Sequence, residues 1–76
     1  MDPVVLEAVA AIAARDWARL SPLLHPYLHW TGPDGQVTRG RAQVLRLLGD
    51  GPPAGPPARY ELRDGQVYRW TQRPAD

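Results

Sequence analysis

The feature that most constrains this chain is an Asp64-Gly65 pair between two alternating segments, RYELR and QVYRWT. Asp-Gly at such a place predicts a two-residue hairpin turn, because both central residues need positive φ and these two tolerate it. That register pairs Leu62 with Val67, Glu61 with Tyr68, Tyr60 with Arg69, and Arg59 with Trp70. One face then carries Tyr60, Leu62, Val67 and Arg69. The other carries Arg59, Glu61, Tyr68 and Trp70. Neither face is purely polar, so the sheet is expected to have something against both sides: its own helices on one, a partner subunit or a ligand on the other.

The string DGQV recurs at Asp34, inside a second hairpin signal. YLHWT, from Tyr27 to Thr31, reads as a strand, Gly32-Pro33-Asp34-Gly35 as a turn, and Gln36 to Arg39 as the returning strand. A four-residue loop pairs Trp30 with Val37 and His29 with Thr38. Three helices complete the order. Asp2-Pro3 caps and opens the first, whose stripe is Val5, Val9 and Ile12. Its further apolar residues, Leu6 and the alanines, predict cover on more than one side. Asp16 caps a short second helix through Leu24, kinked or restarted by Pro22 and ended by His25-Pro26. Gly40 to Leu48 is the third, burying Val44, Leu45 and Leu48, with Gly49 as its C-cap. GDGPPAGPPA, from Gly49 to Ala58, reads as a stiff, extended connector.

Several classes are excluded or disfavoured by composition. There is no Cys, so disulfides and thiolate metal sites are absent. His25 and His29 are separated by Pro26, which breaks any helix between them, so no metal pair and no cofactor is expected. The nine basic residues are all Arg and are spread along the chain against eight acidic ones. No clustered basic face is visible, which argues against nucleic acid. No apolar run is long enough to span a membrane, and the acidic start is unlike a secretory signal; the expected location is cytoplasmic.

Glu61 is the one acidic residue inside a strand. Burial beside Tyr68 and Trp70 would make it a usable base; the alternative is an outward Glu paired with Arg59 or Arg63. His29 is a second candidate acid or base, its alternative being a polar residue opposite Thr38 on the outer face. His25 caps the second helix or borders solvent. Trp17, Trp30, Tyr60, Tyr68 and Trp70 are the candidate ligand-binding aromatics, and in a chain without Phe they must also fill much of the core.

Asp16, Leu24-His25-Pro26, Trp30, Pro33-Asp34-Gly35, Gly40-Arg41 and Asp64-Gly65-Gln66-Val67-Tyr68-Arg69-Trp70, in that order, resemble the SnoaL-like branch of the nuclear-transport-factor-2-like superfamily. The resemblance implies a strongly curved sheet closing a cone around a pocket. Members are usually longer, with about six strands; here the Pro-rich connector stands where middle strands would be, so the chain looks like a shortened member. In ketosteroid-isomerase relatives the proton-abstracting Asp lies just before the Pro of the first hairpin, which is Gly32 here. The oxyanion-hole Tyr falls near Ala8, and the Asp that often follows His-Pro is Tyr27. That isomerase mechanism therefore lacks its base and its donors.

The expected architecture is α+β, three helices packed on a small curved antiparallel sheet of about four strands, in a single domain over residues 1–76. A chain of 76 residues buries little apolar area on its own, so a homodimer through the outer sheet face is expected. The expected function is a dimeric binding or assembly module with a small or filled pocket. The alternative is a small-molecule enzyme, a cyclase, isomerase or epoxide-hydrolase-like protein acting on an apolar polyketide- or steroid-like compound.

Overall fold

A computed structural model describes residues 1–51 and 55–74. Three helices pack on one face of a four-stranded sheet: α1 (Pro3–Ala13), α2 (Trp17–Leu20) and α3 (Arg41–Asp50), with strands β1 (Leu24–Thr31), β2 (Val37–Arg39), β3 (Arg59–Arg63) and β4 (Gln66–Thr71). Strand order is β2-β1-β4-β3. The two hairpins are antiparallel, but β1 and β4 run parallel between them, so the sheet is mixed rather than wholly antiparallel. The chain crosses from β1 to β4 through β2, α3 and β3, and hairpin signals alone do not reveal which strands meet in the middle.

Helix α1 begins as the sequence dictates: the Asp2 carboxylate accepts from the Val4 N–H at 2.8 Å, with Pro3 in the first turn. Val5, Ala8, Ala11 and Ile12 are its buried face, Val9 is half-buried and Leu6 is exposed, so the helix is covered along one face only. It ends with Arg15 at φ 55°, where the Arg15 N–H reaches the Ile12 carbonyl and the Asp16 N–H reaches the Ala11 carbonyl. Asp16 then caps α2 through the Arg19 N–H at 3.2 Å. Pro22 restarts the chain as a 3-10 turn over Ser21–Leu23. Leu24 already belongs to β1, because it pairs with Val67 of the parallel neighbour; His25 and Pro26 are therefore strand residues, not a helix end. Helix α3 runs past Gly49 and is capped at Gly51.

Both hairpin registers differ from expectation by one residue. In the first, Thr31 pairs with Val37 and Trp30 with Thr38. Gly35 at φ 85° closes a turn to the Gly32 carbonyl, and the Gly32 N–H reaches Gln36, lengthening the loop by one. In the second, Asp64 and Gly65 both have positive φ as the sequence requires, and Leu62 pairs with Val67. A bulge then shifts the pairs to Glu61–Arg69, Tyr60–Trp70 and Arg59–Thr71. The extra residue is Tyr68. This displacement puts Val67 and Trp70 on the same, helix-facing side, where strict alternation would separate them.

The core is Val5, Ala8, Ala11, Ile12, Leu20, Leu24, Leu28, Trp30, Val44, Leu48, Val67 and Trp70. At its centre Trp30 and Trp70 stack across the parallel strands, centroids 4.7 Å apart and planes 8° from parallel. A stack of this kind adds about 0.5–1.5 kcal/mol to what burial alone supplies. The Trp70 Nε1–H has no described hydrogen-bond partner. The Pro-rich connector lies partly outside the described residues, at 52–54; Pro57 beyond it is buried, and the Ala58 N–H donates to the Thr71 carbonyl at 2.8 Å.

Candidate functional site

Two places collect chemistry, one on each side of the sheet. On the helix-facing side a cleft of about 560 Å³ opens between the first hairpin turn, the C-terminal end of α3 and the residues after β4. Its apolar wall is Trp30, Pro33, Leu47 and Leu48, and its polar groups include Asp34, Thr38, Gln72 and Arg73. The volume falls within the ~300–1,000 Å³ of ordinary small-molecule pockets. The sheet delivers Trp30 and Thr38 as register partners. Helix α3 delivers Leu47 and Leu48 from successive positions: Leu48 enters the core, while Leu47 stays exposed and borders only the cleft.

Gln72 is the least expected member. It is only 9% exposed, its N–H is fixed on the Thr31 carbonyl at 2.9 Å, and it lines the cleft. Its carboxamide makes no hydrogen bond with any described residue. A carboxamide that borders a cleft without a described protein partner can bond a bound molecule. On the opposite rim the Asp34 carboxylate accepts from the Gln36 N–H at 3.1 Å. A Cβ at Gly32 would meet the same Asp34 Oδ1 at 3.1 Å, so the bare backbone at 32 leaves the carboxylate its place.

On the solvent side of the sheet sit both candidate catalytic residues. Glu61 is exposed and ion-paired to Arg69 at 3.3 Å, its register partner after the bulge, rather than to Arg59 or Arg63. It is not buried beside Tyr68 and Trp70. His29 lies between Arg39 and Arg69 in register, not opposite Thr38, with its ring 5.5 Å from Tyr68. Tyr68 also meets His25 edge-on at 5.1 Å and lies under the Arg63 guanidinium at 4.5 Å. His25 itself is largely buried. Its Nδ1 accepts from the Tyr27 N–H at 3.0 Å, and its Nε2 is 3.9 Å from the Asp64 carboxylate. The sheet thus gathers Glu61, His29 and Tyr68 on one face, and none of them lines the cleft.

The candidate aromatics divide the same way. Trp30 is in the core and at the cleft, whereas Trp70 is wholly in the core. Trp17 is half-buried against the helices, and Tyr60 is partly exposed, its hydroxyl accepting from the Asp2 N–H at 3.2 Å. Of the positions singled out by resemblance, Gly32 does border the cleft, Ala8 is buried in the core, and Tyr27 is 74% exposed on the opposite side. The sequence does not mark Asp34, Thr38, Leu47, Leu48 and Gln72 as site residues, because separate segments supply the cleft. The one available signal was Leu47, an apolar residue beside the buried stripe of α3.

Comparison with known proteins agrees with this fold. The family model for the SnoaL-like domain matches residues 5–70. The fold is similar to that of a candidate ketosteroid isomerase from Kribbella flavida DSM 17836, with a TM-score of 0.75 and 20% identity over 90% of this chain and 72% of that one. No curated protein matches significantly.

Proposed function

Because the chain belongs to the SnoaL-like domain family, we propose that it binds a small, largely apolar molecule in the cleft beside the first hairpin turn. The observation that supports this reading is Gln72, a residue only 9% exposed that borders the cleft, whose carboxamide makes no hydrogen bond with a described residue. An apolar wall with one or two inward polar groups is how a protein holds and orients such a ligand. The stacked Trp30 and Trp70 fill the space between helices and sheet, so the ligand lies at the rim, over Trp30, Leu47 and Leu48. Its chemical class is a ring-shaped ketone or phenol of the polyketide or steroid kind, with an oxygen that accepts from the Gln72 carboxamide.

A thermal-shift panel of such compounds tests the reading. At least one is expected to raise the unfolding midpoint, and Gln72→Leu and Leu47→Glu are each expected to reduce the shift. No shift across the panel, or a shift that both substitutions leave intact, contradicts it.

Turnover of the ligand is a second reading, favoured by Asp34. This carboxylate reaches the cleft from a turn that fixes one of its oxygens and leaves the other to accept a proton. Asp34→Asn is expected to leave ligand affinity within about twofold and to remove turnover.

A further inference from the structure

The arginines are scattered along the chain, but strand register collects four of the nine on the solvent-side face of the sheet. Arg39, His29, Arg69 and Glu61 form one row from the β2 edge to the β3 edge, and Val37, Thr31, Thr71 and Arg59 form the next. Arg63 stands beyond the first row, its guanidinium 4.5 Å from the centre of the Tyr68 ring. All four arginines are exposed. The carboxylates here are Glu61, which holds the Arg69 Nε at 3.3 Å, and Asp64, beside His25 in the β3–β4 turn. Arg39, Arg59 and Arg63 have no carboxylate partner among the described residues, so positive charge is in excess on this face. Two tyrosines adjoin it. Tyr27 and Tyr68 flank His25 at 5.8 and 5.1 Å, and Tyr27 is the most exposed of the described large hydrophobic side chains.

We infer that this face binds single-stranded nucleic acid. A guanidinium matches the oxygens of a phosphate, and an open aromatic ring stacks a base; a single strand uses both at once. An acidic peptide would engage the arginines and leave the tyrosine rings idle. A duplex hides its bases in grooves, and this flat face carries no helix or ribbon to enter one. Nor do the arginines converge on one small anion. Arg39 and Arg69 stand two strands apart, ~10 Å between backbones, and Glu61 draws Arg69 toward β3, away from Arg39. They therefore serve separate phosphates. The strand crosses obliquely from Arg39, past His29, to Arg69 and Arg63, with its bases toward Tyr27 and Tyr68. The Arg63 guanidinium over Tyr68 offers a further plane on which a base can stack. The outer strands are only ~14 Å apart, so the face takes about two or three nucleotides, and binding is weak and salt-dependent. In sequence this site is dispersed: only the order β2-β1-β4-β3 brings Arg39 into line with Arg69.

Fluorescence anisotropy of labelled oligothymidylate and oligouridylate, each about ten nucleotides long, titrated with the full chain, tests this. Binding of at least one is expected, tightest at low salt. The logarithm of the affinity should fall against the logarithm of salt with a slope of about −2, the value for about three phosphates on a single strand. Arg39→Gln should weaken binding and flatten that slope by about 0.7. Tyr27→Ala should weaken binding about tenfold and leave the slope unchanged, which separates stacking from phosphate contact. A preference for one oligonucleotide assigns the strand as DNA or RNA, and either supports the inference. Both substituted positions are exposed, and circular dichroism checks that each variant is folded. No binding at low salt, equal competition by polyglutamate, or a Tyr27→Ala variant as tight as the wild type would overturn the inference. So would binding lost as the chain mass doubles in light scattering, which would give the face to a second copy. None of these outcomes bears on the cleft, which lies on the other side of the sheet.

Discussion

At the scale of single residues, Trp30 and Gln72 carry the account. Trp30 stacks on Trp70 in the core and forms part of the cleft wall, so the proposed binding would depend on the same residue that packs the core. Truncating a buried Trp costs about 3–5 kcal/mol, as much as the ~3–5 kcal/mol a core of this size supplies. Trp30→Ala is therefore expected to lose its cooperative thermal transition in circular dichroism; a midpoint near that of the wild type would contradict the packing described. Gln72 is the opposite case. It contributes no side-chain hydrogen bond to a described residue, so Gln72→Leu should leave the denaturation midpoint unchanged or higher. Ligand affinity measured by calorimetry should fall by about tenfold, the effect of one lost hydrogen bond of about 1–1.5 kcal/mol. A destabilised variant with unaltered affinity would show that the carboxamide serves the fold.

At the scale of elements, local chemistry decided turns and caps, and long-range packing decided everything else. Asp2, Asp16 and Asp64-Gly65 behave as their sequence predicts, because caps and tight turns are settled by the residues that form them. The Tyr68 bulge was not legible: QVYRWT alternates acceptably without it, and only the need to bury Val67 and Trp70 on one side calls for an extra residue. Leu24-His25-Pro26 reads as a helix end until the parallel strand that captures Leu24 is known. For the same reason a mixed sheet was hidden behind two ordinary hairpins. The turns and caps give their own predictions. Arg15 ends α1 in the left-handed region, so Arg15→Gly should stabilise by about 1 kcal/mol, read as a higher urea midpoint with an unchanged slope. Gly65→Ala, at φ 75°, should destabilise by about 1 kcal/mol. Reversed signs would mean that these turns are not as described.

Viewed whole, the two faces of the one sheet differ in chemistry. Apolar residues and helices occupy one face, leaving the cleft at its rim. Arginine, tyrosine and histidine occupy the other. Gly32, the position in the first hairpin turn that the family resemblance singles out, borders the cleft, whereas the candidate bases Glu61 and His29 stand on the far side of the sheet. Their placement follows from register, which a one-residue bulge sets and no motif records. The outer face of the sheet, through which a homodimer is expected from the chain's small size, carries charged and aromatic residues rather than an apolar surface. The central claim is that ligand enters on the helix-facing side. Titration of the isotopically labelled protein with the best compound of the panel, followed by two-dimensional NMR, tests it most directly. The account predicts shifts at the Trp30 indole, the Thr38 and Leu47 amides and the Gln72 side-chain amide, with His29 and Tyr68 unmoved. Shifts centred on His29, Glu61 and Tyr68, with a silent Gln72, would contradict it.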